Sequence, residues 1–221
     1  MKIKVNGIEL YYKQSGYGPP IILLHGNGED HTIFHILIKK LSADYTVYAV
    51  DSRGHGRSSK VKHLKYIDKM NDIAGLITEL SLEKPILYGF SDGGIIGLLL
   101  AIHHPEILSK LIISGANTNP GGVKPFAYAL MKLGYFFTRS SKLKLMLTQP
   151  DITDAELNTI ITPTLVLAGH HDIIKEEHTL SLAKNIRGSE LQILKGENHA
   201  SYVIGSGKIY DIIIAFLRGA A

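Results

Sequence analysis

The sequence predicts an α/β protein with a mostly parallel sheet flanked by helices. Short, continuous apolar runs recur along the 221-residue chain, as expected of strands buried on both faces. Helical stretches alternate with these runs, and such alternation favours parallel crossover connections. Glycine-rich turns follow several of the runs, at the strand ends where sites in these sheets form.

Residues 2–5 and 10–13 alternate in polarity and meet around Asn6-Gly7, a hairpin signal. Residues 20–24 (PIILL), 46–50 (TVYAV), 85–88 (PILY), 108–113 and 164–168 (TLVLA) read as buried strands, and 191–194 as the last one. Residues 32–41 are predicted helical. Residues 67–80 carry Ile73, Leu76, Ile77 and Leu80 as a helical stripe. Residues 93–103 are apolar nearly all round, which predicts a buried helix. It ends at His104-Pro105, because the residue before proline is pushed out of the α region. Residues 176–186 and 208–217 are the last two helices.

Residues 117–161 break this rhythm, with no buried-strand run. Phe126, Leu130, Leu133 and Phe137 share one helical face. Residues 143–147 form a second helical piece, and Asp151 or Thr153 is a candidate cap for a short third. We read one domain over 1–221 with a small helical insertion at 117–161.

Composition narrows the function classes. Apolar residues at 45% and charged residues at 20% suit a globular chain and argue against disorder. The absence of cysteine excludes a disulfide, a thiolate zinc site and a cysteine nucleophile. A net charge of +4 without a dense Lys/Arg block gives no reason to expect nucleic-acid binding. The opening MKIKVNGIELYYKQ alternates like a strand and lacks a signal-peptide core. No apolar run approaches the roughly 20 residues that span a bilayer, so stable membrane insertion is not expected. A cytoplasmic protein is the expectation. Oligomeric state is not read from the sequence.

The chemistry begins at Gly89-Phe-Ser91-Asp-Gly93, a G-x-S-x-G motif between a buried strand and the apolar helix. A serine at the tip of so tight a turn projects its hydroxyl above the sheet edge. The flanking glycines are needed because neighbouring backbone comes too close for a Cβ. Serine needs a base within hydrogen-bond reach and a third group to orient that base. The later strand-end loops offer both. TLVLA leads into Gly169-His-His-Asp172, and the last strand leads into Gly196-Glu-Asn-His199. After PIILL, His25-Gly-Asn27-Gly28 is a candidate oxyanion loop. The backbone N–H groups of Asn27 and Asp92 are then the candidate donors. His170 and His171 beside Asp172 raise a metal site, but no cluster at ligand spacing supports one. Asp51-Ser-Arg-Gly-His-Gly-Arg-Ser58 lacks the third glycine of a dinucleotide fingerprint, so no cofactor is expected.

HGNG, DSRGHGRS, GFSDGG, GHHD and GENH, in this order and after these strands, resemble the α/β-hydrolase superfamily over about residues 2–217. The resemblance implies an eight-stranded sheet whose second strand is antiparallel, with a cap inserted after the sixth strand. It implies Ser91 as nucleophile, His199 as base, Asp172 as acid, and an oxyanion hole at Asn27 and Asp92. It assigns DSRGHGRS a chiefly structural part. Where some members carry the acid after the sixth strand, this chain has Asn117. Serine at position 91 excludes the haloalkane dehalogenase and soluble epoxide hydrolase branches, which need aspartate there.

The expected reaction is acyl transfer from a small ester-type substrate to water, falling at acid pH as His199 becomes protonated. An enol-lactonase, a carbon–carbon bond hydrolase and a non-catalytic small-molecule receptor are the alternatives. A cap this short is expected to leave an open pocket. Its apolar residues are read as packing onto the sheet, with its lysines extending into solvent. A hydrophobic pocket with a basic rim and a membrane-surface contact are the other readings of the segment.

Overall fold

A computed structural model of the chain describes residues 1–219. Eight strands form one sheet: β1 (Lys2–Val5), β2 (Ile8–Ser15), β3 (Pro20–Leu24), β4 (Thr46–Asp51), β5 (Ile86–Phe90), β6 (Lys110–Ser114), β7 (Thr164–His171) and β8 (Glu190–Asn198). Their spatial order is β1-β2-β4-β3-β5-β6-β7-β8. β2 runs antiparallel to both its neighbours, and the pairs from β4 to β8 are parallel. The β1–β2 turn has positive φ at Asn6 (47°) and Gly7 (75°), the twist that joins adjacent antiparallel strands.

The continuous apolar runs are explained by burial on both faces. Ile22 and Leu24 of β3 join one core with α2 (Tyr66–Glu79), α3 (Asp92–His103) and α7 (Glu176–Asn185). Ile21 and Leu23 point the other way, into a core with α1 (His35–Leu41) and α8 (Tyr210–Arg218). α3 is buried along most of its length, as its all-round apolarity predicts. β7 and β8 extend beyond their apolar runs into exposed polar residues. They stay paired there, His171 with Asn198, because ladder hydrogen bonds need no buried side chain.

Between β6 and β7 lie α4 (Pro125–Thr138), α5 (Ser141–Thr148) and α6 (Asp154–Leu157). Thr153, rather than Asp151, caps α6 through a reciprocal box with Glu156. One expectation fails here. The apolar residues of α4 do not pack onto the sheet: α4 has no buried residue, and Phe126, Leu130, Leu133 and Phe137 face solvent. The cause is geometric. α4 packs chiefly on α5, which itself buries only Leu145, so no layer reaches the outer side of α4.

Candidate active site

β5 ends one residue before Ser91, and α3 begins one residue after it. Ser91 holds φ 51° and ψ −113°, a conformation that costs an L-residue on the order of 1–3 kcal/mol. Its backbone is fixed from both sides. Ser91 N–H donates to the Ser114 carbonyl at 2.8 Å, and Gly94 N–H donates to the Ser91 carbonyl at 2.9 Å. A Cβ on Gly89 would collide with the Gly93 carbonyl, and one on Gly93 with the Leu24 carbonyl. The two glycines are therefore a steric requirement of the turn.

His199 and Asp172 meet this serine from the ends of β8 and β7. His199 Nε2 lies 3.2 Å from Ser91 Oγ, and its Nδ1 lies 2.6 Å from Asp172 Oδ1. The same Asp172 oxygen accepts the Ile174 N–H at 2.9 Å, which fixes the carboxylate. Asp172 is buried and His199 partly so. Phe90 packs on the imidazole with ring centroids 5.0 Å apart. Gly115, at φ 61°, leaves room for the ring, since a Cβ there would sit 2.7 Å from His199 Cε1. Asn117 donates instead to the Asn119 carbonyl at 2.8 Å.

Asn27 and Asp92 also come together, through their side chains: Asn27 Nδ2 donates to Asp92 Oδ2 at 3.1 Å. As the first residue of α3, Asp92 has no acceptor for its N–H inside the helix. Its carboxylate is fully engaged. Lys69 Nζ donates to Oδ2 at 2.8 Å, and Tyr66 Oη donates to Oδ1 at 2.6 Å. Burial would raise the Asp92 carboxyl, but Lys69 and these hydrogen bonds outweigh it and hold it below the ordinary carboxylate range. Sequence reasoning missed Tyr66 and Lys69. The signal was a lysine on the apolar face of α2, in line with Met70, Ile73 and Leu76.

A further polar layer carries the loops. His25 Nδ1 bonds the Gly26 carbonyl at 2.7 Å, while its Nε2 accepts the Ser52 N–H at 3.0 Å. Burial pushes His25 down to about 4 and His55 down to about 3. Gly26 N–H donates to Glu29 at 2.9 Å, and burial raises the Glu29 carboxyl. Asp51 organises the DSRGHGRS loop by accepting the His31 and Arg57 N–H groups, each at 2.8 Å. Asp30, His31 and Asp51 also bring metal-type ligand atoms together, with His31 Nδ1 and Asp51 Oδ1 hydrogen-bonded to each other at 2.7 Å. His170 and His171 meet edge to face with ring centroids 4.9 Å apart, and both are exposed.

The cavity beside Ser91 is narrow rather than open. Tyr66, Asp92, Asn117 and Gln149 supply its polar wall. Val123, Met131 and Met146 from the insertion, with Ile173 and Ile174, supply the apolar one. Asn27 Nδ2 also reaches the Lys142 carbonyl at 3.3 Å, tying α5 to the floor of the site.

This fold and this serine turn define an α/β-hydrolase architecture, and the chain belongs to the alpha/beta hydrolase fold family, which it matches over residues 19–140. It is 28% identical to the human serine hydrolase BPHL over 90% of this chain and 79% of that protein. It is 29% identical to the pimeloyl-[acyl-carrier protein] methyl ester esterase of Vibrio parahaemolyticus over 53% of this chain. That match spans only 44% of the esterase. In structure it is similar to the enol-lactonase from Burkholderia xenovorans LB400, with a TM-score of 0.83 at 21% identity. That likeness covers 99% of this chain and 100% of the lactonase chain, and at such identity it concerns the fold. No helix among the described residues is long and apolar enough to cross a membrane.

Proposed function

We propose that the chain is a serine hydrolase that cleaves a small ester-type substrate through an acyl-enzyme. The observation that carries this reading is the hydrogen-bonded line from Ser91 Oγ through His199 to Asp172, on a serine held in a strained turn. His199 Nε2 takes the hydroxyl proton as Ser91 Oγ attacks the ester carbonyl. Asp172 holds the Nδ1–H tautomer and stabilises the imidazolium. The tetrahedral oxyanion is received by the N–H groups of Asn27 and Asp92, each such donor worth about 3 kcal/mol in the transition state. Its collapse passes the proton to the departing alkoxide. Water activated by His199 then attacks the acyl-enzyme and releases the acid.

Residues 117–161 serve as the cap in this reading. The narrow cavity under Met131 and Met146 favours a short acyl group. The names of the relatives, a serine hydrolase and a methyl ester esterase, support this class of reaction. A fluorophosphonate probe is expected to add one adduct, on Ser91. Ser91→Ala is expected to fold and lose about 10⁶-fold in kcat. Adduct on another residue, or a variant that keeps esterase activity, overturns the assignment. A p-nitrophenyl ester series is expected to show activity declining with acyl length.

A further inference from the structure

The net positive charge of this molecule is concentrated on one segment. Between residues 117 and 149 lie Lys124, Lys132, Arg139, Lys142 and Lys144, and no Asp or Glu. The rest of the chain holds the remaining 19 basic and all 20 acidic residues, so outside this segment the charge nearly cancels. The same segment carries a band of exposed apolar side chains. Phe126, Leu130, Leu133, Phe136 and Phe137 are each more than half exposed, Phe126 at 77% and Phe137 at 74%. At 100° per residue, 126, 130, 133 and 137 form a single stripe along α4. Met131, on another side of the same helix, lines the cavity that holds Ser91.

A contiguous apolar band of this kind calls for a partner. That partner must accept aromatic and aliphatic side chains while presenting negative charge. A second copy of the same face satisfies the first condition and violates the second, since it sets one cationic segment against another. An anionic lipid surface satisfies both. Apolar side chains enter the headgroup–acyl boundary while lysine and arginine meet the phosphates. We propose that α4 and the basic residues around it form a docking surface for an anionic phospholipid bilayer. The helix lies along the headgroup region, with the Ser91 cavity beside the membrane. This inference stands apart from the reaction assigned to Ser91.

The test is flotation with vesicles of phosphatidylcholine alone and of phosphatidylcholine mixed with phosphatidylglycerol, run on the full chain and on Ser91→Ala. Both proteins are expected to bind the anionic vesicles and to be released by molar salt, which shortens the screening length to about 3 Å. Lys132→Ala with Arg139→Ala is expected to weaken binding by about fivefold per charge removed. Leu133→Ser with Phe137→Ser is expected to abolish binding and leave hydrolysis of a soluble short-chain ester unchanged. The chain has no tryptophan, so Phe137→Trp places a single reporter on the stripe. Its emission is expected to shift to the blue on anionic vesicles. Absent binding, equal binding to neutral vesicles, or no spectral shift overturns the proposal. So does a concentration-dependent dimer that the Leu133→Ser/Phe137→Ser variant abolishes, which assigns the face to a second copy.

Discussion

The floor of the Ser91 site and the insertion above it are built on opposite terms. On the floor, buried carboxylates are held by particular donors. Asp92 accepts from Lys69, Tyr66 and Asn27, Asp172 from His199 and Ile174, and Asp51 from two backbone donors. In the insertion, apolar groups are exposed and α4 buries nothing. A buried carboxylate without donors is costly, so each one on the floor needs particular partners. An exposed aromatic ring makes no such demand on its neighbours. The floor therefore admits few substitutions, and the outer face of α4 admits many.

The sharpest way to break this contrast is to disturb one floor contact with a near-isosteric change. On the proposed mechanism, Asp172→Asn leaves the packing intact and presents the wrong hydrogen-bond partner to His199 Nδ1. A loss of about 10⁴-fold in kcat is expected, with KM little changed. Steady-state kinetics on a soluble ester measure it, and a loss below tenfold removes Asp172 from the mechanism.

Lys69→Met should come next in size. It strands the Asp92 carboxylate in a buried site, at a cost of about 3–5 kcal/mol in stability. It also removes one anchor of Asp92 at the start of α3, with an expected loss of about 10²-fold in kcat. Asp92→Asn in the Lys69→Met background removes the stranded charge. Recovery of stability and kcat together identifies Lys69 as a positioning residue. Recovery of stability alone makes it a packing element.

The buried histidines give the floor a pH dependence of its own. His25 and His55 stay neutral in the fold down to about 4 and about 3, chiefly because burial penalises their charged forms. The unfolded chain takes up those protons near 6.5. Between pH 6.5 and 4 it thus binds more protons than the native state, and stability falls as pH is lowered through that window. By pH 4 the loss is about 3 kcal/mol per ring, and above 6.5 neither ring contributes. Urea midpoints at several pH values measure it. His25→Gln should reduce the slope, and an unchanged slope would place the titration elsewhere.

The strands, the serine turn and the loops carrying Asp172 and His199 were legible in the sequence because each follows from local pattern: apolar runs, glycine spacing and chain order. Lys69 was not, because its partner Asp92 is 23 residues away and only packing brings α2 against the start of α3. Gly115 was hidden for the same reason, since the ring it makes room for arrives from β8. The α4 stripe misled in the other direction. Periodicity places Phe126, Leu130, Leu133 and Phe137 on one face, but it does not say what that face meets. A helical stripe predicts burial only where another layer lies over it.

The smallest predicted effect tests that last point directly. Leu98 of α3 is fully buried in the core that α3 shares with α2, and Leu98→Ala is expected to cost about 2–5 kcal/mol. Phe137→Ala removes a larger side chain, yet its ring is mostly in water in the folded state as well as the unfolded one. It should change stability by no more than about 0.5 kcal/mol, read as the shift in urea midpoint at constant slope. The pair separates residue type from environment. If Phe137→Ala costs as much as Leu98→Ala at dilute concentration, α4 is covered by something in the same chain, and the outer face described here is a core. If the two differ as expected, the apolar character of α4 contributes little to folding, and its use must be sought in what the helix touches outside the molecule.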